Sequence, residues 1–451
     1  MLLQFVEQGS NGIRGADRRV IRSHVMQGKN KGRPRRSTKK QKHVEIKRPF
    51  TAPEGIYKIS RPILWGDFCL GSFPADLDST SIALMHRWFF DISDALFPPQ
   101  FCSKFDIIQS IWVNCILADE AYFHSTLAIS ASYIDFVQRK PSVSSQTLYH
   151  ISEAYSLVNA KLSGPLPVSD SAIAAVVSLA IYQQVHGQPQ TGLVHLTGLC
   201  RMIAMRGGIS KLMQENRALA LKPLRLDVEL AIQTGTHTLF RGGEVPIGPI
   251  LCRPSGCNGQ LSLATAWMPL GMLHLLNFSA LLNGAEMERI PKLDPLDFTE
   301  TLIWLVYFLL ESMSLLKASA PLGAECSTLP HLAMLAFMTT LLPEYTREGY
   351  GSSLLAKRIE VALENIHTTP PELWDLEPTF LLWILVITTI SVCDSRDQVC
   401  VRGLIVATCE RLRLDDWTAV NKQLTLFPWI YALHNAPARQ LWEDITATTP
   451  M

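Results

Sequence analysis

Two groups of residues in this 451-residue chain could do chemistry, and neither is built to make or break bonds. The first is cationic. Lys31, Arg33, Pro34, Arg35 and Arg36 belong to the run Lys-Gly-Arg-Pro-Arg-Arg, and Lys39, Lys40 and Lys42 follow closely. Fixed positive charge at this density suits a polyanion or an import receptor. The second group is mixed. His195, Arg201 and Arg206 precede the pair Gly207-Gly208, and Arg225, Asp227 and Glu229 follow it at helical spacing. They could make hydrogen bonds and ion pairs across a helical corner, or they could line a ligand pocket between helices. No catalytic residue is expected. The chain has no Gly-x4-Gly-Lys-Ser/Thr phosphate loop, no Gly-x-Ser-x-Gly elbow and no His-Glu-x2-His. Arg241-Gly242-Gly243-Glu244 is a weak candidate for an anion-binding turn and reads better as the start of a loop. Asp415-Asp416, just before Trp417, reads as a helix cap. No metal or cofactor is expected either: Cys252-x4-Cys257 has no second pair beside it, and Cys-x2-Cys occurs nowhere. The ten cysteines are scattered through apolar patterns and read as reduced, small buried hydrophobes of an intracellular protein.

The elements that must hold the mixed group lie between Thr191 and Phe240. Leu193, Leu196, Leu199, Cys200 and Ile203 form one apolar stripe at helical period. Arg201 and Arg206 sit in the last turns, where a cation suits the helix dipole. Gly207 and Gly208 supply the left-handed backbone that ends a helix. A second helix is expected from roughly Leu219 to Gln233, with Gly235 at its end. The same periodicity recurs along the chain at Leu77–Leu96, Phe105–Val137 (two helices, the second starting near Asp119), Ser144–Leu162 and Ser169–Val185. It continues at Leu261–Leu282, Leu296–Ala318, Pro330–Leu342, Ser352–Ile366, Leu376–Cys393, Gln398–Leu412 and Trp417–His434. Few stretches alternate with period two, so the fold class is all-α, a large multi-helix domain of antiparallel helical hairpins. The apolar run Phe380–Cys393 is shorter than the ~20 residues a membrane crossing needs and is flanked by acids, so it reads as a core helix; no membrane partner is expected. Arg241 to Gly259, rich in Gly and Pro, is expected to be a long loop.

The corner residues resemble a known family. His195, then Gly198-Leu199-x-Arg201-Met202-Ile203, then Arg206-Gly207-Gly208, then Leu224-Arg225-x-Asp227-x-Glu229-Leu230-Ala231 is similar to the helical regulatory domain of fungal transcription factors. Leu426-Phe427-Pro428-Trp429-Ile430, with Trp442 beyond it, resembles the end of the same domain, and the likeness extends loosely over most of residues 50–446. It implies a nuclear regulator with transcriptional partner proteins, with a homodimer or a heterodimer as the expected assembly. In that family the domain usually follows a zinc binuclear cluster of six cysteines in two Cys-x2-Cys-x6-Cys halves. Only Cys69 precedes residue 100 here, so independent sequence-specific DNA reading by such a cluster is not expected of these residues.

Charge divides the chain. Of its 41 Lys+Arg and 40 Asp+Glu, the first fifty residues hold 14 and 3, leaving 27 and 37 for the rest: a basic tail on a slightly acidic body. The expected organisation is a largely disordered tail over 1–50 with a short helix at 16–27, an irregular linker over 51–76, and the all-α domain over 77–446. Three readings of the tail stay open. It is a nuclear localisation signal read by the import machinery, a single AT-hook-like contact with DNA that is weak and salt-dependent, or a solvated linker. The expected function is a fungal transcription regulator of a metabolic or secondary-metabolite gene set. The competing reading is a helical interaction scaffold with no DNA role.

Overall fold

A computed structural model describes residues 79–88, 96–104, 111–137, 143–240, 270–312, 325–342, 353–368, 376–392 and 398–448. All described residues lie within one unit, 62–451. The basic run Lys31–Lys42, the helix expected at 16–27, the linker at 51–76 and the loop with Arg241–Glu244, Cys252 and Cys257 lie outside them.

Sixteen helices form among the described residues, and the pairing of strands is limited to one parallel bridge between Cys102 and Leu293. In chain order they are α1 (Ser79–Arg87), α2 (Ile111–Ala118), α3 (Glu120–Val137), α4 (Ser145–Leu162), α5 (Asp170–Val185), α6 (Pro189–Arg206), α7 (Ile209–Glu215) and α8 (Arg217–Thr234). There follow α9 (Leu270–Glu286), α10 (Pro295–Ser312), α11 (Glu325–Thr339), α12 (Ser353–Thr368), α13 (Pro378–Ser391), α14 (Gln398–Leu412), α15 (Trp417–Leu424) and α16 (Tyr431–Thr448). The caps are the ones the side chains predict. Ser144, Ser169 and Asp416 each accept the backbone N–H three residues on, starting α4, α5 and α15. Asp119 does the same for Tyr122 at the joint between α2 and α3.

Two expectations need correction. The corner after Gly207 does not lead straight into the second long helix: the short α7 intervenes, and Asn216 then caps α8 two residues earlier than the apolar pattern suggests. Nor is Trp417–His434 one helix. Pro428 has no N–H to give, and the chain turns through Thr425–Ile430 before α16 begins.

One continuous apolar core runs through the molecule. In the first half α3 packs on α4 and α5, and α5 on α6. In the second half α13 packs on α14, α15 and α16, with α11 between it and α12. α8 joins the halves, touching α5, α6, α7, α10 and α12. α13 is the former candidate for a membrane run; it is buried from Phe380 to Thr389, and no helix among the described residues is long and apolar enough to cross a membrane. Cys102, Cys115 and Cys409 lie in the core, and burial pushes their thiols up to about 12, 11 and 12, well away from thiolate chemistry.

The Pro428 turn is held by polar atoms that the core has swallowed. The Trp383 indole N–H donates to the Pro428 carbonyl at 2.9 Å. Asn283 of α9 donates to the Trp429 carbonyl at 2.7 Å and accepts the Tyr431 N–H at 3.0 Å. His434 Nδ1 accepts the Ile430 N–H at 3.0 Å, and its Nε2 stands 3.0 Å from Thr340 Oγ1, which itself donates to the Phe337 carbonyl at 2.7 Å. That hydroxyl has spent its proton, so Nε2 carries the hydrogen and donates. The imidazole is fully buried and neutral, its pKa pushed down to about 3 by desolvation; His331 is pushed down to about 4 for the same reason.

The unfolded chain takes up these protons near pH 6.5 and the folded chain does not, so the stability they contribute is whole above pH 6.5 and drains as pH falls toward 3–4. Each histidine can account for at most about 1.4 kcal/mol per pH unit in that window. Denaturant unfolding at pH 7, 6 and 5 should show falling stability, and His434→Gln, which keeps one acceptor and one donor, should flatten the slope by up to that amount.

Candidate functional site

The corner that follows α6 is made by backbone. Gly207 has φ 111° and Gly208 φ 95°; the Gly208 N–H reaches the Ile203 carbonyl at 2.9 Å and the Gly207 N–H that of Ala204 at 3.0 Å, the pair of bonds that closes a Schellman end. A side chain at 207 would be strained by that φ, and its Cβ would stand 2.8 Å from Lys211 Cδ. Arg206, in the last turn, then ties three elements together. It donates to Asp170 at the start of α5 and, through Nε at 3.0 Å and Nη2 at 2.9 Å, to Glu215 at the end of α7. Asn216 also donates to Asp170, at 2.8 Å. Arg201 is exposed on the outer side of α6.

α8 carries the remaining motif residues and is buried almost throughout, so their polar atoms must be answered from within the protein. Residues two apart on a helix point nearly opposite ways. Arg225 and Glu229, four apart, share one face: Arg225 Nε donates to Glu229 at 2.7 Å, and Gln184 of α5 donates to the other Glu229 oxygen at 3.1 Å. Asp227 looks away from both. Its carboxylate, 1% exposed, accepts the Leu239 N–H at 2.8 Å, the Phe240 N–H at 2.9 Å and the Tyr307 hydroxyl of α10 at 2.7 Å. Burial raises its pKa to about 6 and these three donors hold it down against that. The effect on stability runs opposite to that of His434: a raised carboxyl pKa takes stability away as pH rises from 3.8 to about 6. His195 is half-buried on α6, its ring stacked on Tyr155 of α4 at 6.1 Å between centroids; Gln183 of α5 donates to the Tyr155 hydroxyl. Burial holds His195 below its ordinary pKa.

The motif residues therefore do not converge on one point. Arg206 fastens the corner, Arg225 and Glu229 face α5, Asp227 faces α10, and His195 faces α4. A depression of about 450 Å³ at the end of α9, lined by Ala285 and by Glu288 through Lys292, holds none of them. Six partners escaped the sequence reading: Asp170 and Glu215 of the Arg206 clasp, and Tyr155, Gln183, Gln184 and Tyr307. The adjacent amides of Gln183 and Gln184 in an otherwise apolar helix were a legible signal, since buried amides need partners. The two tyrosines were not distinguishable from packing aromatics.

With that geometry in place, comparison with protein families becomes informative. Residues 96–222 match the family model of the fungal specific transcription factor domain. The match reaches from the turn before Phe101 into α8. It includes His195, Arg201, Arg206, Gly207 and Gly208 and stops short of Arg225, Asp227 and Glu229, so it covers a narrower stretch than the loose likeness over 50–446. No curated protein and no solved structure matches the chain. The matched segment holds α2 to α7 and the start of α8, and the acids of α8 lie just beyond its far border.

Three substitutions separate the roles. Asp227→Ala should cost about 2–4 kcal/mol in urea unfolding, because it strands three donors, whereas Tyr307→Phe, which leaves two of them in place, should cost about 1 kcal/mol. Gly207→Ala should cost about 1–2 kcal/mol through its φ and the Lys211 contact, with helix content unchanged by circular dichroism.

Proposed function

We propose that this chain is a fungal transcription regulator that works by binding, not by catalysis, through its all-α body. The observation that carries the reading is the family match over 96–222, together with a corner motif whose charged residues are engaged in holding helices rather than gathered into a reaction centre. The buried thiols and neutral buried imidazoles fit the same reading, because they are poor nucleophiles and poor proton carriers where they stand. The basic run Lys31–Lys42 is the part suited to the nucleus: it is recognised by import machinery and grips DNA through phosphates and an A·T minor groove. The body then meets transcriptional partner proteins, and the gene set it governs is metabolic. A helical scaffold without a DNA role is the outcome that would replace this.

The test uses a fluorescent fusion of the whole chain in a fungal host. Deleting residues 29–48 should abolish nuclear accumulation, and deleting the gene should change transcript levels of a coherent set of genes. Arg33→Ala with Arg35→Ala should weaken gel-shift binding to A·T-rich duplex, more visibly at 50 mM than at 200 mM salt where phosphate contacts are already screened. Unaltered nuclear accumulation would remove the tail from the account, and an unaltered transcript profile would leave the scaffold.

A further inference from the structure

Among the buried groups that neither the corner nor the core clasp employs, one pair is unusual. His124 of α3 and His150 of α4 face each other nitrogen to nitrogen, Nδ1 to Nδ1, at 2.9 Å. Both residues are nearly inaccessible, 4% and 5% exposed. The ring of Tyr149, itself more than half exposed, lies edge-on to both, at 5.9 Å from His124 and 5.1 Å from His150. The separation of the two ring nitrogens is that of a hydrogen bond, with room for one proton between them.

We propose that the His124–His150 contact is a proton-counting clasp between α3 and α4, closed with one hydrogen between the rings and opened when both imidazoles are charged. A contact of 2.9 Å between two ring nitrogens requires one N–H and one lone pair. With both rings neutral, one is the Nδ1–H tautomer and donates, and the other carries its hydrogen on Nε2 and accepts. A first added proton goes to the vacant Nε2 of the donor ring. The donor becomes an imidazolium, and the bond survives as a charge-assisted one. A second proton has only the acceptor's Nδ1 to occupy, where the shared hydrogen already sits. It can bind there only if the rings part, and two cations so close repel in a weakly screened site.

Burial outweighs the nearby carboxylates and holds the His124 pKa below its ordinary value, so protonation begins only as pH falls. Glu120, one turn before His124 on α3, and Glu153, one turn after His150 on α4, are the charged groups that act on His124. α1, α2 and α5 also pack on α3, and α5 begins with the carboxylate of Asp170. Burial pulls the His124 pKa down while these carboxylates pull it up. The clasp sits inside the segment matched to the fungal transcription factor domain, at one of its closest helix pairs, so opening it would loosen α4 from the core and leave α13 in place.

Hydrogen–deuterium exchange on the full chain between pH 7.5 and 5, corrected for the intrinsic pH dependence of exchange, tests this. Protection of α4 should fall at least tenfold relative to α13, and His150→Phe, which cannot take a proton, should abolish that relative fall. Equal behaviour of α4 and α13 in the native chain, or an undiminished fall in His150→Phe, overturns the clasp. If His150→Phe does not fold, nitrogen-15 spectra of the native chain's histidines decide. Two coupled steps at least one pH unit apart are expected for this pair, and two independent titrations would refute it.

Discussion

A helix buried on every side can keep charged residues only where the protein itself answers them, and α8 is such a helix. From Leu219 to Ile232 nearly every position is buried, yet Arg225, Asp227 and Glu229 lie in the middle of that span. Left unpaired, any one of them would cost several kcal/mol. Each is answered by a different neighbour. Glu229 and Arg225 satisfy one another and draw in Gln184 of α5. Asp227 gathers Tyr307 of α10 and the chain at 239–240. The charges consequently fix which helices may stand beside α8 and in what register. Arg217, at the entrance of α8, adds a second link to α10 through Asp297 and Glu300.

The opposite end of the molecule repeats the device with neutral groups. The Pro428 turn exposes carbonyls and N–H groups to an apolar interior, and Trp383, Asn283 and His434 supply their partners. Such arrangements specify one packing more than they stabilise it, because a rival packing would strand the same atoms. Both networks bind together elements distant in the chain. A body held in this way presents its exposed residues on a frame whose packing is fixed. Val194, Arg201 and Met205 on the outer face of α6 are examples of residues that the core does not use.

How much of this could be read beforehand depended on the kind of signal. Ser144, Ser169 and Asp416 were legible as helix starts because an N-cap acts within three residues. Gly207-Gly208 was legible because few other residues adopt its backbone. α7 was missed because seven residues are too few for a periodic pattern to stand out, and the break before α16 was missed because Leu426–Ile430 is as apolar as the helices around it. The charged trio of α8 reads from the sequence as one polar group at the corner, whereas in the structure its members point to different neighbours.

By itself the sequence determined the all-α class, most helix boundaries and the burial of Phe380–Thr389, since apolar periodicity, caps and run length are local quantities. It also determined the asymmetry of charge between the first fifty residues and the rest. Only the tertiary structure decided which partner each buried polar atom has: Tyr307 for Asp227, Gln184 for Glu229, Thr340 for His434, and His150 for His124. Those pairings join residues 26 to 94 positions apart. No pattern along the chain encodes them, because they arise from where the helices are driven to pack when their apolar faces leave water.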